Sequence, residues 1–421
     1  MTDQPTGGGA VWAPRPLPTV AVAIAAASAA VFPVFLTGAL TVQLRHALHL
    51  STADIGFGVA AFFGSSALCS VSSGRAAERA GPWRVMELAT MIALASMAGI
   101  GLLVHHLWNL LALLVLGGIG NGMMQPATNL LLSEVVHSGR QGLAFGIKQA
   151  GIPAATLLSG LAVPALVLTA GWQSAYLAGA AYVAGVLLVL HQQQRQDTVR
   201  NAPDSASQPA GRPRRAVQTP IDVRPLILLA AGMAAAVAAS NAMGSFLVPS
   251  TVDHGVAPGS AGLLAALGSA VGFSVRTTAG WRADFGGRVG VRAAEHHLAV
   301  VVVMVAIGAG GYLALASGRS FLLVPGAVLG FGAGWGFNGL FNLAVVRAYA
   351  HAPGRATGIT QVGTYIGGMT GPLFFGLLVD HVGYQAGWLL CAALAVVAVA
   401  TFAASRYSLR RHLIDGSREA P

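Results

Sequence analysis

The chain has 421 residues, of which 55% are hydrophobic and only 9% charged, whereas soluble domains carry about 25% charged residues. Too few ionisable groups are present to coat a water-facing surface, and the apolar residues fall in blocks of about 20 or more, enough to cross about 30 Å of hydrocarbon as helix. A soluble fold is therefore excluded. The formal net charge of +10 does not mark a nucleic-acid partner. Lys148 is the one lysine, and the arginines gather at the ends of apolar runs, where they report topology.

Residues 1–18 are rich in Gly and Pro and read as a tail. The first apolar run, Thr19 to Leu44, is too long for the hydrophobic region of a signal peptide and reads as a retained span. Further spans are expected at 54–74, 85–105, 108–133, 141–168 and 172–190, then at 225–250, 260–280, 293–316, 320–346, 356–379 and 384–405. Residues 191–224, rich in Pro, Ser, Gln and Arg, read as a disordered linker, and residues 406–421 as a second tail. Cys69 and Cys391 lie within apolar runs, so no disulfide framework is expected.

With the N-terminus inside, every arginine flanking a span except Arg45 and Arg319 falls on the cytoplasmic side. This predicts a multi-pass cell-membrane protein with both termini and the linker cytoplasmic.

The regions either side of the linker repeat one another. Gly146-Ile147-x-Gln149-x-Gly151 returns as Gly358-Ile359-x-Gln361-x-Gly363, and Gly171-Trp172-Gln173 as Gly383-Tyr384-Gln385. Gly118-x-Gly120-x-Gly122 corresponds to Gly330-x-Gly332-x-Gly334. Gly74-x-x-x-Glu78-x-x-Gly81 returns as Gly280-x-x-x-Asp284-x-x-Gly287. Four matches in order predict an all-α membrane fold of two pseudo-symmetric six-helix bundles, residues 19–190 and 225–405, with a site between them near the midplane.

On these residues the chain resembles the major facilitator superfamily. The segment after the second span, Gly74 to Gly81 with Glu78 and Arg79, is similar to that family's Gly-x-x-x-Asp-Arg-x-Gly signature, with Glu in place of the usual Asp. The second copy keeps Gly280, Asp284, Gly287 and Arg288 but has Phe285 where a basic residue is usual. The resemblance implies alternating access, with these loops latching the cytoplasmic gate. The family's span-4 arginine is absent from Leu116 to Gly122, and its exchanger motif is only partial in Gly151 to Pro164, which argues against drug–proton exchange.

Two cations fall inside spans. Lys148 lies about 12 Å along its helix from Arg140, and Arg276 about 9 Å from Arg282. A charge at such depth costs on the order of 3 kcal/mol or more without a wet cavity or partner. Snorkelling to the headgroups is the alternative for each. None of the 14 acidic residues lies deep in a span, so a cavity holding these cations would attract anions. The resemblance extends to oxalate/formate-type and monocarboxylate porters, which also place an arginine in span 8 but lack the span-5 lysine.

Uncharged polar residues recur at helical spacing: Asn121, Gln125 and Asn129; Asn241 and Ser245; Asn338 and Asn342; Gln361 and Tyr365. With Gln149 they mark a polar path, the alternative being interhelical hydrogen bonds. Gly118 with Gly122, and Gly363, Gly367 and Gly371, are spaced for close helix packing. Gly334-x-Gly336-x-x-Gly339 has dinucleotide spacing but no preceding strand, so no cofactor is expected. The 12 histidines lie at span ends or in loops, and no metal cluster is expected.

These features predict a monomeric secondary or facilitative transporter of a small organic or inorganic anion, with a coupling ion left open. An exporter of uncharged or amphipathic compounds, or a non-transporting sensor of the same fold, is the alternative. No catalytic motif is present, so an enzyme is not expected.

Overall fold

The computed structural model describes residues 16–135, 146–200, 223–285, 290–350 and 353–418. Among the described residues, twelve helices are long and apolar enough to cross a membrane. Spans 1 to 6 are Thr19–Ala39, Thr52–Ser70, Pro82–Leu103, Leu107–Leu132, Gly146–Ala170 and Trp172–Arg195. Spans 7 to 12 are Val223–Asp253, Pro258–Ala283, Gly290–Ala316, Ser320–Ala348, Ala356–Val382 and Tyr384–Arg410. No strand occurs among the described residues.

Helix ends follow local chemistry. Span 2 opens on a reciprocal cap in which the Ser51 side chain accepts from Asp54 N and the Asp54 carboxylate accepts from Ser51 N. Gly171 and Gly383, equivalent in the repeat, have φ of +80° and +101°. A side chain would be strained there, and the next span starts at the following residue in each half.

Several helices outrun the apolar stretches that announce them. The span-2 helix continues to Ala80, so Gly74, Glu78 and Arg79 lie on a helix rather than in the expected loop, and only Gly81, at φ +89°, makes the turn. Gly280 likewise sits within the helix Pro258–Phe285. The span-6 helix runs to Arg200, past the expected start of the linker at His191, and the span-12 helix runs to Arg418. Once hydropathy falls, polar residues of good helix propensity still extend a helix already nucleated in the membrane.

The halves repeat in their contacts as well as their sequence. Glu87, at the start of span 3, meets His191 at the end of span 6 at 2.7 Å. Glu295, at the start of span 9, meets Arg406 at 3.2 Å, and Arg410 too, at the end of span 12. Glycines bring backbones together: Gly118 and Gly122 lie on the Phe62 and Ser66 backbone, and Gly363, Gly367 and Gly371 on Ala230, Ala234 and Ala238. Between halves, span 2 packs on span 11, span 5 on span 8 and span 1 on span 7. Phe57, Leu102, Leu188, Val303, Phe321 and Val396 stay exposed, an apolar surface suited to lipid.

Candidate functional site

Span 10 is broken where its glycines cluster. Residues Gly330–Gly334 form a π-helical turn, the chain turns through 335–337, and the helix resumes at Asn338. A break at membrane depth frees carbonyls that need donors. Trp335 O accepts from Arg276 Nε at 3.2 Å, Arg276 Nη2 at 2.8 Å and Asn338 Nδ2 at 3.2 Å. Arg276 Nη1 also donates to the carbonyl of Gln149 in the other half. The guanidinium carbon sits 5.5 Å from the centroid of the Trp335 ring. Arg276 is 1% exposed and does not snorkel; it joins a carbonyl from each bundle.

Lys148 is 3% exposed and does not snorkel either. Its Nζ donates to Gln125 Oε1 at 2.8 Å and Asn129 Oδ1 at 2.6 Å, both on span 4. Among the described residues no carboxylate lies within ion-pair distance of Lys148 or Arg276. The repeat puts Thr360 at the position of Lys148, so this charge belongs to one half alone.

Between the halves lies a cavity of about 60 Å³. Of the expected residues, Asn121, Gln125, Gln149, Asn241, Asn338, Asn342, Gln361 and Tyr365 line it, joined by Thr364. Gln149 and Gln361, the paired residues of the repeat, face it from opposite halves. Phe35, Phe63 and Trp335 supply aromatic wall that polar spacing did not indicate. Four of the expected residues stand off that wall. Lys148 and Arg276 are not on the wall but one layer behind it, because each is bonded to groups of wall residues. Ser245 and Asn129 are not on the wall either: Ser245 packs on span 1, its backbone against Gly38, and Asn129 is exposed and accepts from Lys148. The Tyr365 hydroxyl is buried, with no hydrogen bond of normal geometry fixing it.

A larger cleft of about 570 Å³ lies between spans 8, 9 and 10, with Arg282, His296 and His297 among mostly apolar residues. It belongs to the second bundle alone, off the interface between halves.

The halves also meet at both ends of the bundle. At the end bearing the termini, a Cβ on Gly146 would lie 3.0 Å from Arg276 O and 3.4 Å from Gly280 Cα, and one on Gly339 would lie 3.3 Å from Gly146 Cα. Gly280 is thus part of a crossing of spans 5, 8 and 10. Glu78 and Arg79 are exposed at the same end. Gly287 and Arg288 lie outside the described residues, as does the Asp284 side chain. At the opposite end, Asp380 of span 11 accepts from the backbone of Thr52 and Ala53 in span 2.

A family model described as Major Facilitator Superfamily matches residues 19–353. A solved structure described as a bacterial homolog to human lysosomal transporter, Spinster, in an inward-facing and unoccupied conformation, is similar with a TM-score of 0.68. At 16% identity over 96% of this chain and 98% of that one, the likeness is one of fold. No curated protein sequence matches the chain.

Proposed function

The chain belongs to the Major Facilitator Superfamily, and from that premise we propose that this secondary transporter carries a small anion through the cavity between its halves. One observation carries the reading: two buried cations stand directly behind the cavity wall, and the residues that line the cavity include no carboxylate. In a medium of low dielectric, uncompensated positive charge favours an anionic solute and disfavours a cation. The free volume of about 60 Å³ also suits a solute of few atoms, since pockets for drug-sized ligands run to about 300–1,000 Å³. The exporter of larger uncharged compounds is the weaker reading on that ground.

In this reading the cavity amides contact the solute and the ends of the bundle alternate as gates. Gly74, Glu78, Arg79 and Gly81, with Gly280, Asp284, Gly287 and Arg288, serve closure at the end bearing the termini and do not bind solute. The arginine distribution supports a cytoplasmic position for that end, and a monomer in the cell membrane completes the reading.

Uptake into proteoliposomes of labelled monocarboxylates, dicarboxylates, inorganic anions and neutral controls tests the proposal. A wild-type preference for anions, lost in Lys148→Gln while the protein still purifies as a folded species, supports it. Preferential transport of a cation, or full anion transport by Lys148→Gln, overturns it.

A further inference from the structure

The contacts of Lys148 fix the sense of a hydrogen-bonded chain. An ammonium has three donors and no acceptor, so the Gln125 atom facing it must be the carbonyl oxygen, and the amide cannot be reversed there. Gln125 Nε2 then faces Asn121 and donates to its Oδ1 at 3.3 Å. Asn121 Nδ2 donates in turn to Ser66 Oγ at 3.0 Å. The Ser66 hydroxyl hydrogen is directed to backbone carbonyls, those of Gly118 at 2.8 Å and Phe62 at 2.9 Å, so its oxygen is left to accept. The chain is therefore oriented from both ends, by a donor-only group at one and acceptor-only carbonyls at the other.

Each amide nitrogen has two N–H groups and uses one in this chain. Both Gln125 and Asn121 line the cavity, whereas Lys148 does not. Resting on the anion reading, we propose that Lys148 is a positioning residue: it holds Gln125 and Asn121 with their N–H groups available to the cavity, and these amides read the oxygens of the solute. The ammonium polarises the amides in the same sense, since it draws their oxygens toward itself and makes their N–H groups better donors. Specificity then rests on a wall that offers donors to a group that only accepts. Removing the ammonium frees the Gln125 amide to turn its oxygen to the cavity, and the preference for an acceptor disappears.

The test compares near-isosteric solutes that differ in the charge and the donor capacity of the terminal group, and Gln125→Leu, which leaves the ammonium in place, separates the two. Purified full-length protein is titrated with glycolate, lactate and malonate and with glycolamide, lactamide and malonamide, and binding is followed by thermal stabilisation. The wild type prefers the acids. Lys148→Met and Gln125→Leu each lower the acid-over-amide affinity ratio by about tenfold or more, the scale of a hydrogen bond to a charged group. The double variant lowers it no further, because both changes cut the same chain. Lys148→Arg keeps the preference, since a guanidinium is also donor-only. Should Lys148→Met fail to fold, Gln125→Leu with Lys148→Arg decides the question. If Gln125→Leu retains the preference and Lys148→Met or Lys148→Arg loses it, Lys148 touches the solute directly; the relay is then wrong and the anion reading stands. A wild type that prefers the amides, or that binds neither the six nor any inorganic anion of the uptake panel, removes the anion reading beneath it.

Discussion

The Asp380 carboxylate at the end of span 11 accepts hydrogen bonds from Thr52 N at 3.1 Å and Ala53 N at 2.6 Å, so one half of the molecule caps the first turn of a helix in the other. The cap exists only while spans 2 and 11 touch at that end, which makes it a bias toward closure there. Asp380 is exposed, so solvent screens the interaction, and a loss of about 1 kcal/mol is expected on removing the cap. Asp380→Ala should shift the balance of gate states roughly fivefold toward opening at that end. Asp380→Asn, which keeps one acceptor, should fall between. Distances between spin labels across spans 2 and 11 measure the shift; an unchanged distribution in Asp380→Ala would show that the cap does not bias the gate.

At the other end the two copies of the repeated Gly-Ile-x-Gln-x-Gly element differ in a way that can be tested. Gly146 has the backbone of spans 8 and 10 against it, whereas its partner Gly358 has no atom within 4 Å of a built Cβ. Gly146→Leu should wedge spans 5, 8 and 10 apart and cut transport by roughly tenfold or more, since overpacking of this kind costs about 1–3 kcal/mol. Gly358→Ala should leave transport within about twofold, as expected where the new methyl has open space. Equal effects at the two sites would mean that the glycines serve something other than this crossing.

The spans were legible in the sequence because hydrocarbon thickness dictates their length and excludes charge, and the repeat pairs Gln149 with Gln361, both of which line the cavity. Other features depend on partners distant in sequence. Ser245 shares a helical stripe with Asn241, but periodicity does not reveal that span 1 comes close enough, at Gly38, to cover that part of the stripe. The depth of Lys148 could be counted from Arg140, but its direction was set by Gln125 and Asn129 of a neighbouring span. The glycines of span 10 carry the repeat, yet nothing local indicated a break there or that Arg276 would supply the donors for it. Snorkelling was a reasonable alternative for a lone cation and loses to carbonyls only once the packing is known.

Orientation follows from charge alone and makes its own prediction. The arginine pattern predicts that residues 191–224 lie on the cytoplasmic side with both termini. The turn after span 9, which includes exposed Ser317, lies at the opposite end of the bundle. Single cysteines at Ser207 and Ser317, in a chain otherwise freed of cysteine, should react from opposite sides of intact cells, with Ser317→Cys labelled by an impermeant maleimide added outside. Labelling of Ser207→Cys from outside would reverse the topology and leave the fold unchanged.

Arg276 separates a structural from a ligand-binding role for the second buried cation. Its guanidinium supplies Trp335 O in one half and Gln149 O in the other; in Arg276→Met, Trp335 O would keep only the Asn338 amide and Gln149 O would lose this donor. An unsatisfied buried polar group costs about 1–3 kcal/mol, so the variant should unfold at a temperature lower by several degrees even without solute. Arg276→Lys keeps the charge but lacks the planar fork, so it can restore only part of the bridge and should be intermediate in stability. If the residue acts only on solute, Arg276→Met would bind solute more weakly yet melt with the wild type, because no carbonyl would depend on it. Thermal unfolding of the three proteins in solute-free detergent solution decides between the two: a graded loss in the order arginine, lysine, methionine identifies a bridge between the halves, and coincident curves identify a ligand contact.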